Sequence, residues 1–189
     1  NGRTAIGTQK VTATISGDNF TKLVLTADLT ITPATVEGIT FEDDSFVYDG
    51  TAKSLSITGD LPDKVTVEYT NNSRTDVGTQ EVTATISGDN FTELVLTADL
   101  TITTAEVKGI TFADGSFVFD GTVKSLVIAG DLPLGTSAFY TNNGRAEVGT
   151  QEVTATITGS NFTTLELKAD LIITPATLIV TAYAGQSKE

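Results

Sequence analysis

The densest groupings of chemistry-bearing side chains are two short acidic runs, Glu42-Asp43-Asp44 and Asp60-Leu61-Pro62-Asp63. A hard cation such as calcium needs several carboxylate and carbonyl oxygens, so these runs are the natural place to look for one. Their spacing fits no calcium loop, and 71 residues further on the chain reads Ala113-Asp114-Gly115 and Asp131-Leu132-Pro133-Leu134, with acids lost. Turn and solubility roles are therefore expected and no cofactor, with calcium as the competing reading. Lys53 and Lys124 share strand parity with Leu55, Ile57, Leu126 and Ile128, which would aim an ammonium group at a core where a bare charge is costly. An isopeptide crosslink to Asp28, Asp99 or Asp170 is one chemistry for such a lysine. Those aspartates have outward parity, so lysines that snorkel to the edge are expected instead. Asn19-Phe20-Thr21, Asn90-Phe91-Thr92, Asn161-Phe162-Thr163 and Asn71-Asn72-Ser73 fit the N-glycosylation acceptor pattern. Asn also tolerates tight turns and Phe can anchor a following strand, and that is the expected role.

What is missing narrows the chemistry further. Cys, His, Met and Trp are all absent, leaving no thiolate or imidazole as nucleophile, general base or soft metal ligand. No catalytic residue is expected, and no enzyme. The lack of Cys excludes a disulfide framework without deciding the compartment. A net charge of −13 disfavours nucleic acid and anionic membrane as partners, since both would repel the chain. No apolar run approaches the roughly 18 residues of a membrane span, so membrane insertion is not expected in this segment. An export signal is expected to lie outside it.

The elements that position these residues follow from an internal repeat. GTQKVTATISGDNFT from Gly7 returns as GTQEVTATISGDNFT from Gly78 and GTQEVTATITGSNFT from Gly149, a period of 71 residues. FVYDGTAKSLSITGDLP from Phe46 returns as FVFDGTVKSLVIAGDLP from Phe117 in the same register. Boundaries at the Thr-Pro-Ala junctions divide the chain into the second half of a repeat over 1–35, full repeats over 36–106 and 107–177, and a first strand of a following repeat over 178–189. Within a repeat Val82, Ala84 and Ile86 alternate with Thr83 and Thr85, and Leu94, Leu96, Ala98, Leu100 and Ile102 with Val95, Thr97, Asp99 and Thr101. That is the period of half-buried strands. Turn residues at Tyr48-Asp49-Gly50, Gly59-Asp60-Leu61-Pro62, Asn71-Asn72 and Gly88-Asp89-Asn90 punctuate them, predicting six or seven short strands per repeat. The fold class expected is all-β: tandem small immunoglobulin-like β-sandwiches joined into an elongated rod.

The stretches YDGTAKSLSITGDLP, EYTNN, VGTQEVTATISGDNF and ADLTITPA resemble the bacterial MBG repeats, a mostly-β, Ig-like family. TPATLIVTAYAGQSK resembles the opening strand of an MBG subtype that continues into a Tyr-Gly pair. The resemblance implies an extracellular or bacterial cell-surface setting and a stalk or spacer in an adhesin-like protein, with no active-site residues to carry over. Its partners would be neighbouring repeats of the same chain and other copies of itself. A filament subunit completed by strands donated between chains is the alternative. The two full copies differ where Ser56, Thr58, Asp63 and Glu68 become Val127, Ala129, Leu134 and Phe139, and those four apolar residues form a candidate interface patch.

Overall fold

The strands form where apolar residues alternate with threonine and other polar residues, and half of the ten end at Gly or just before Asn. The computed structural model describes residues 2–181 and 185 and is all-β, with no helix among the described residues. Two long hairpin strands open it, β1 (Gly7–Gly17) and β2 (Phe20–Ile31), paired antiparallel as a two-stranded sheet. Next come β3 (Asp44–Val47), β4 (Val65–Thr70), β5 (Gly78–Gly88) and β6 (Leu94–Thr103), one sheet in the order β3-β6-β5-β4. The same pattern returns in β7 (Gly115–Val118), β8 (Ser137–Thr141), β9 (Gly149–Gly159) and β10 (Phe162–Thr174), in the order β7-β10-β9-β8. β9 and β10 run antiparallel, while β7 lies parallel to β10. The strand expected over 178–189 falls largely outside the described residues.

The described residues divide into two compact units. The first is Asn1–Phe46 with Gly50–Ile102 and the second is Val47–Asp49 with Thr103–Glu189. In the first, Val82, Ala84, Ile86 and Leu100 are completely buried, and Val36, Val65 and Ile86 form a core cluster against which Ile57, Leu61 and Phe91 pack. In the second, Leu126 joins Val153, Ala169, Leu171 and Ile173, flanked by Phe112 and Phe117. The buried positions are those the alternation selects, because a strand places successive side chains on opposite faces.

The strand count differs from the six or seven expected. Each full copy carries four strands. The rest of its first half is extended chain held by single bridges, Thr40 to Thr58 and Lys53 to Arg74, then Thr111 to Ala129 and Lys124 to Arg145. The physical reason is that side chains, not a second ladder, take up the backbone groups there.

Candidate functional site

The residues with the most specific geometry are those that satisfy the first-half backbone. Asn72 Oδ1 accepts the Leu55 N–H at 2.7 Å while its Nδ2 donates to the Leu55 carbonyl at 2.8 Å, copying the paired bonds of a neighbouring strand. Asn143 does the same for Leu126, with both distances 2.7 Å. The Tyr69 and Tyr140 hydroxyls accept the N–H groups of Ile57 and Ile128 at 2.9 and 3.1 Å. These bonds hold Leu55 and Leu126 in the core without leaving their peptide groups unpaired, which would be costly away from water.

A second bracket fixes the entrance to the long strands. Arg74 Nε donates to the Asp76 carbonyl at 2.9 Å and its Nη2 to Val77 at 2.9 Å, and Arg145 repeats this on Glu147 and Val148. The guanidinium lies where a Cβ on Gly78 or Gly149 would stand, and both glycines have φ near the limit of the left-handed region, 134° and 137°. Gly is required there twice over, for conformation and for space. Arg3 makes the same pair of bonds to Ala5 and Ile6 beside Gly7. Sequence reasoning passed over these arginines. The signal that finds them is the threefold return of Arg, three residues, then Gly-Thr-Gln, at Arg3, Arg74 and Arg145.

The acids are placed around backbone. Asp43 Oδ1 accepts the Asp99 N–H at 2.7 Å, and Asp114 Oδ1 the Asp170 N–H at 2.8 Å, so the acid kept in both copies takes up a backbone N–H in the interior of β6 or β10. Asp44 Oδ1 accepts the Ser45 N–H at 2.7 Å. Glu42, Asp43 and Asp44 line a recess of ≈ 440 Å³ with Ser54, Leu55, Ser56 and Thr58. Among the described residues no group of three or more acidic side chains converges to hold a metal ion.

Lys124 carries a carboxylate partner. Its Nζ pairs with Asp120 Oδ2 at 2.6 Å, and the hydrogen bond from Lys124, with those from Thr122, holds the Asp120 carboxyl well below the usual carboxylate range. Lys53 Nζ donates to Thr51 Oγ1 and stands 5.9 Å from the centre of the Phe46 ring. The aspartates considered as crosslink partners lie in the ladders: Asp28 pairs with Lys10 at 3.2 Å, and Asp99 and Asp170 are directly opposite Glu81 and Glu152. Lys168 relieves the second of these like-charge pairs by bonding Glu152 at 2.7 Å, and that bond raises the Lys168 pKa.

The Asn-Phe-Thr turns do more than turn. Asn90 has φ 71°, and its Oδ1 accepts the Ile6 N–H at 3.1 Å. Its carbonyl accepts from Ala34 N–H, whose own carbonyl accepts from Thr92 N–H. Ala105 makes the same two bonds with Asn161 and Thr163, and the Phe162 ring meets Tyr48 edge-on at 5.5 Å.

The four candidate patch residues are all exposed, Val127 by 75%, Leu134 by 96% and Phe139 by 62%, with Ala129 exposed as well. They stand on three stretches. Val127 and Ala129 alternate with the inward Leu126 and Ile128, Leu134 lies in the turn before β8, and Phe139 projects from β8 opposite Thr156 of β9.

No helix among the described residues is long and apolar enough to cross a membrane. No curated protein matches the chain. Among solved structures, the human mucin-like protocadherin EC1-2 crystal structure is similar at 11% identity with a TM-score of 0.27, over 75% of this chain and 100% of that one. Residues 38–106 match the family model described as the MBG domain, and this stretch holds the Asn72, Tyr69 and Arg74 brackets and the strands β3 to β6. The match falls on the stretch in which the sequence resembles the MBG repeats.

Proposed function

We propose that the chain is a structural spacer in the stalk of an extracellular bacterial surface protein, built of MBG-type repeats over 36–106 and 107–177, and that it works without catalysis. The observation that supports this reading is what the two copies keep and what they let go. The buried positions of the long strands, the Asn, Tyr and Arg brackets and the carboxylate bond to the strand backbone recur in both copies. The exposed positions 56, 58, 63 and 68 change from polar to apolar at 127, 129, 134 and 139. A repeat retained for its framework holds a length and a stiffness, whereas one retained for a ligand would keep a surface constellation.

Single-molecule stretching tests this. Each full repeat is expected to unfold as one event that releases about 20 nm of contour, from 71 residues at roughly 3.6 Å each less the folded length. Gradual extension without such steps would count against the reading.

A further inference from the structure

We propose that the second repeat docks edge to edge with the same repeat of another copy of this chain, β8 pairing antiparallel with the partner's β8 about a two-fold axis through Phe139. This lateral contact goes beyond a spacer role, and it starts from a difference between the two copies that removes charge at one place. From Leu132 to Gly144 the chain carries no charged side chain, although its net charge is −13. The equivalent stretch of the first copy carries Asp63, Lys64 and Glu68, replaced here by Leu134, Gly135 and Phe139.

The fold puts that stretch at the edge of a sheet. β8 is an outer strand of β7-β10-β9-β8, with β9 on one side of it. An edge strand turns every second N–H and carbonyl away from its neighbour, where another strand can take them up, and a charged side chain is a common guard against that. β4 holds the same place in its sheet and keeps the guard, an exposed Glu68. On β8 the position belongs to Phe139, 62% exposed between the exposed Ser137 and Thr141, with Leu134 96% exposed just before the strand. Along the row through Phe139, Thr156 stands on β9 and the first charge, Glu166, on β10.

Charge and register together select a second copy as the occupant. Two chains of −13 repel each other, so they meet where both are neutral, and this edge is such a place. Phe139 is the central residue of Ser137–Thr141. A two-fold axis through it sets Phe139 opposite the partner's Phe139, Ser137 opposite the partner's Thr141 and Ala138 opposite the partner's Tyr140. The seam then holds an aromatic pair flanked by hydroxyl pairs, both favourable across strands. The same operation on β4 would set Glu68 opposite the partner's Glu68, a like-charge pair that opposes docking. Because a two-fold contact uses one patch on both chains, it closes at the dimer.

Sedimentation equilibrium up to about 1 mM, where a weak pairwise contact becomes half-saturated, is expected to show monomers and dimers. Phe139→Glu, which places there the side chain the first copy carries at Glu68, is expected to weaken the dimer by about tenfold or more. The chain has no Cys, so introduced thiols report the register. Mixed Ser137→Cys and Thr141→Cys chains are expected to form a disulfide between them, since opposed Cα atoms lie about 4.5–5.5 Å apart. Neither variant links to itself, because equivalent residues at these positions are more than about 13 Å apart in this register. Mixed Thr66→Cys and Thr70→Cys chains, the matching pair on β4, are expected to stay unlinked. The proposal is overturned by a chain that stays monomeric throughout, or by Phe139→Glu chains that dimerise as tightly as the unaltered ones. It is equally overturned if either β8 cysteine variant links to itself as readily as the mixture does, or if the β4 pair links as readily as the β8 pair.

Discussion

Replacing Asn143 with alanine removes a side chain that stands in for a whole strand neighbour. Two hydrogen bonds of 2.7 Å to Leu126 are lost, and the Leu126 N–H and carbonyl lose their partners while its side chain sits 6% exposed in the core. A net hydrogen bond contributes about 1 kcal/mol, and a buried polar group left unpaired costs about 1–3 kcal/mol. Asn143 is only partly buried, so water can reach some of the gap, and the expected loss is about 2–4 kcal/mol. Tyr140→Phe deletes one bond, to Ile128, and is expected to lose about 1 kcal/mol. Chemical denaturation followed at residue resolution is the suitable assay, because the compact units need not unfold together. Val153 reports the second unit and Val82 the first. Asn143→Ala should move the Val153 transition and leave that of Val82, and Asn72→Ala should do the reverse. An Asn143→Ala loss under about 0.5 kcal/mol, or an equal shift in both transitions, would refute the idea that these side chains replace a ladder.

Gly149→Ala strains a φ of 137° and displaces the Arg145 guanidinium, so a loss of about 1–3 kcal/mol is expected in the same denaturation assay. Glu81→Lys replaces a like-charge pair directly opposite Asp99 with the Lys–Asp arrangement already seen at Lys10 and Asp28, and thermal melts at low salt should show a gain of about 0.5 kcal/mol. The Asp120 carboxyl, lowered in the folded chain by Lys124 and Thr122, contributes stability that is present above its unfolded pKa and is lost as pH falls through its folded value. Carboxyl NMR should therefore find Asp120 still ionised below the usual carboxylate range, and Lys124→Ala should return its titration toward that range.

The long strands were legible because their alternation is nearly unbroken: Val82, Ala84, Ile86, Leu100 and Ile102 all lie where period two puts them. The first halves were less so. Residues 51–58 and 122–129 alternate like strands, but they pair through Asn72, Tyr69, Asn143 and Tyr140, and no hydrophobic pattern encodes a side chain that imitates backbone. The Asn-Phe-Thr turns were recognised as turns, yet the bond from Ile6 to Asn90 spans 84 residues and only the fold reveals it. Arg74 and Arg145 leave no mark in a charge pattern dominated by acids, because they bind carbonyls beside a glycine. The candidate patch was readable as a set of substitutions, and the structure adds that its residues stand on three separate stretches.

The proposed spacer role requires each 71-residue repeat to add a fixed increment of length. Small-angle scattering on this chain and on versions with one and two further copies of 107–177 inserted after Thr177 tests it most directly. The 13-residue strand β10 rises about 3.3 Å per residue, so the maximum dimension should grow by about 4 nm per copy. A maximum dimension that grows only with the cube root of mass, as a compact particle's would, contradicts it.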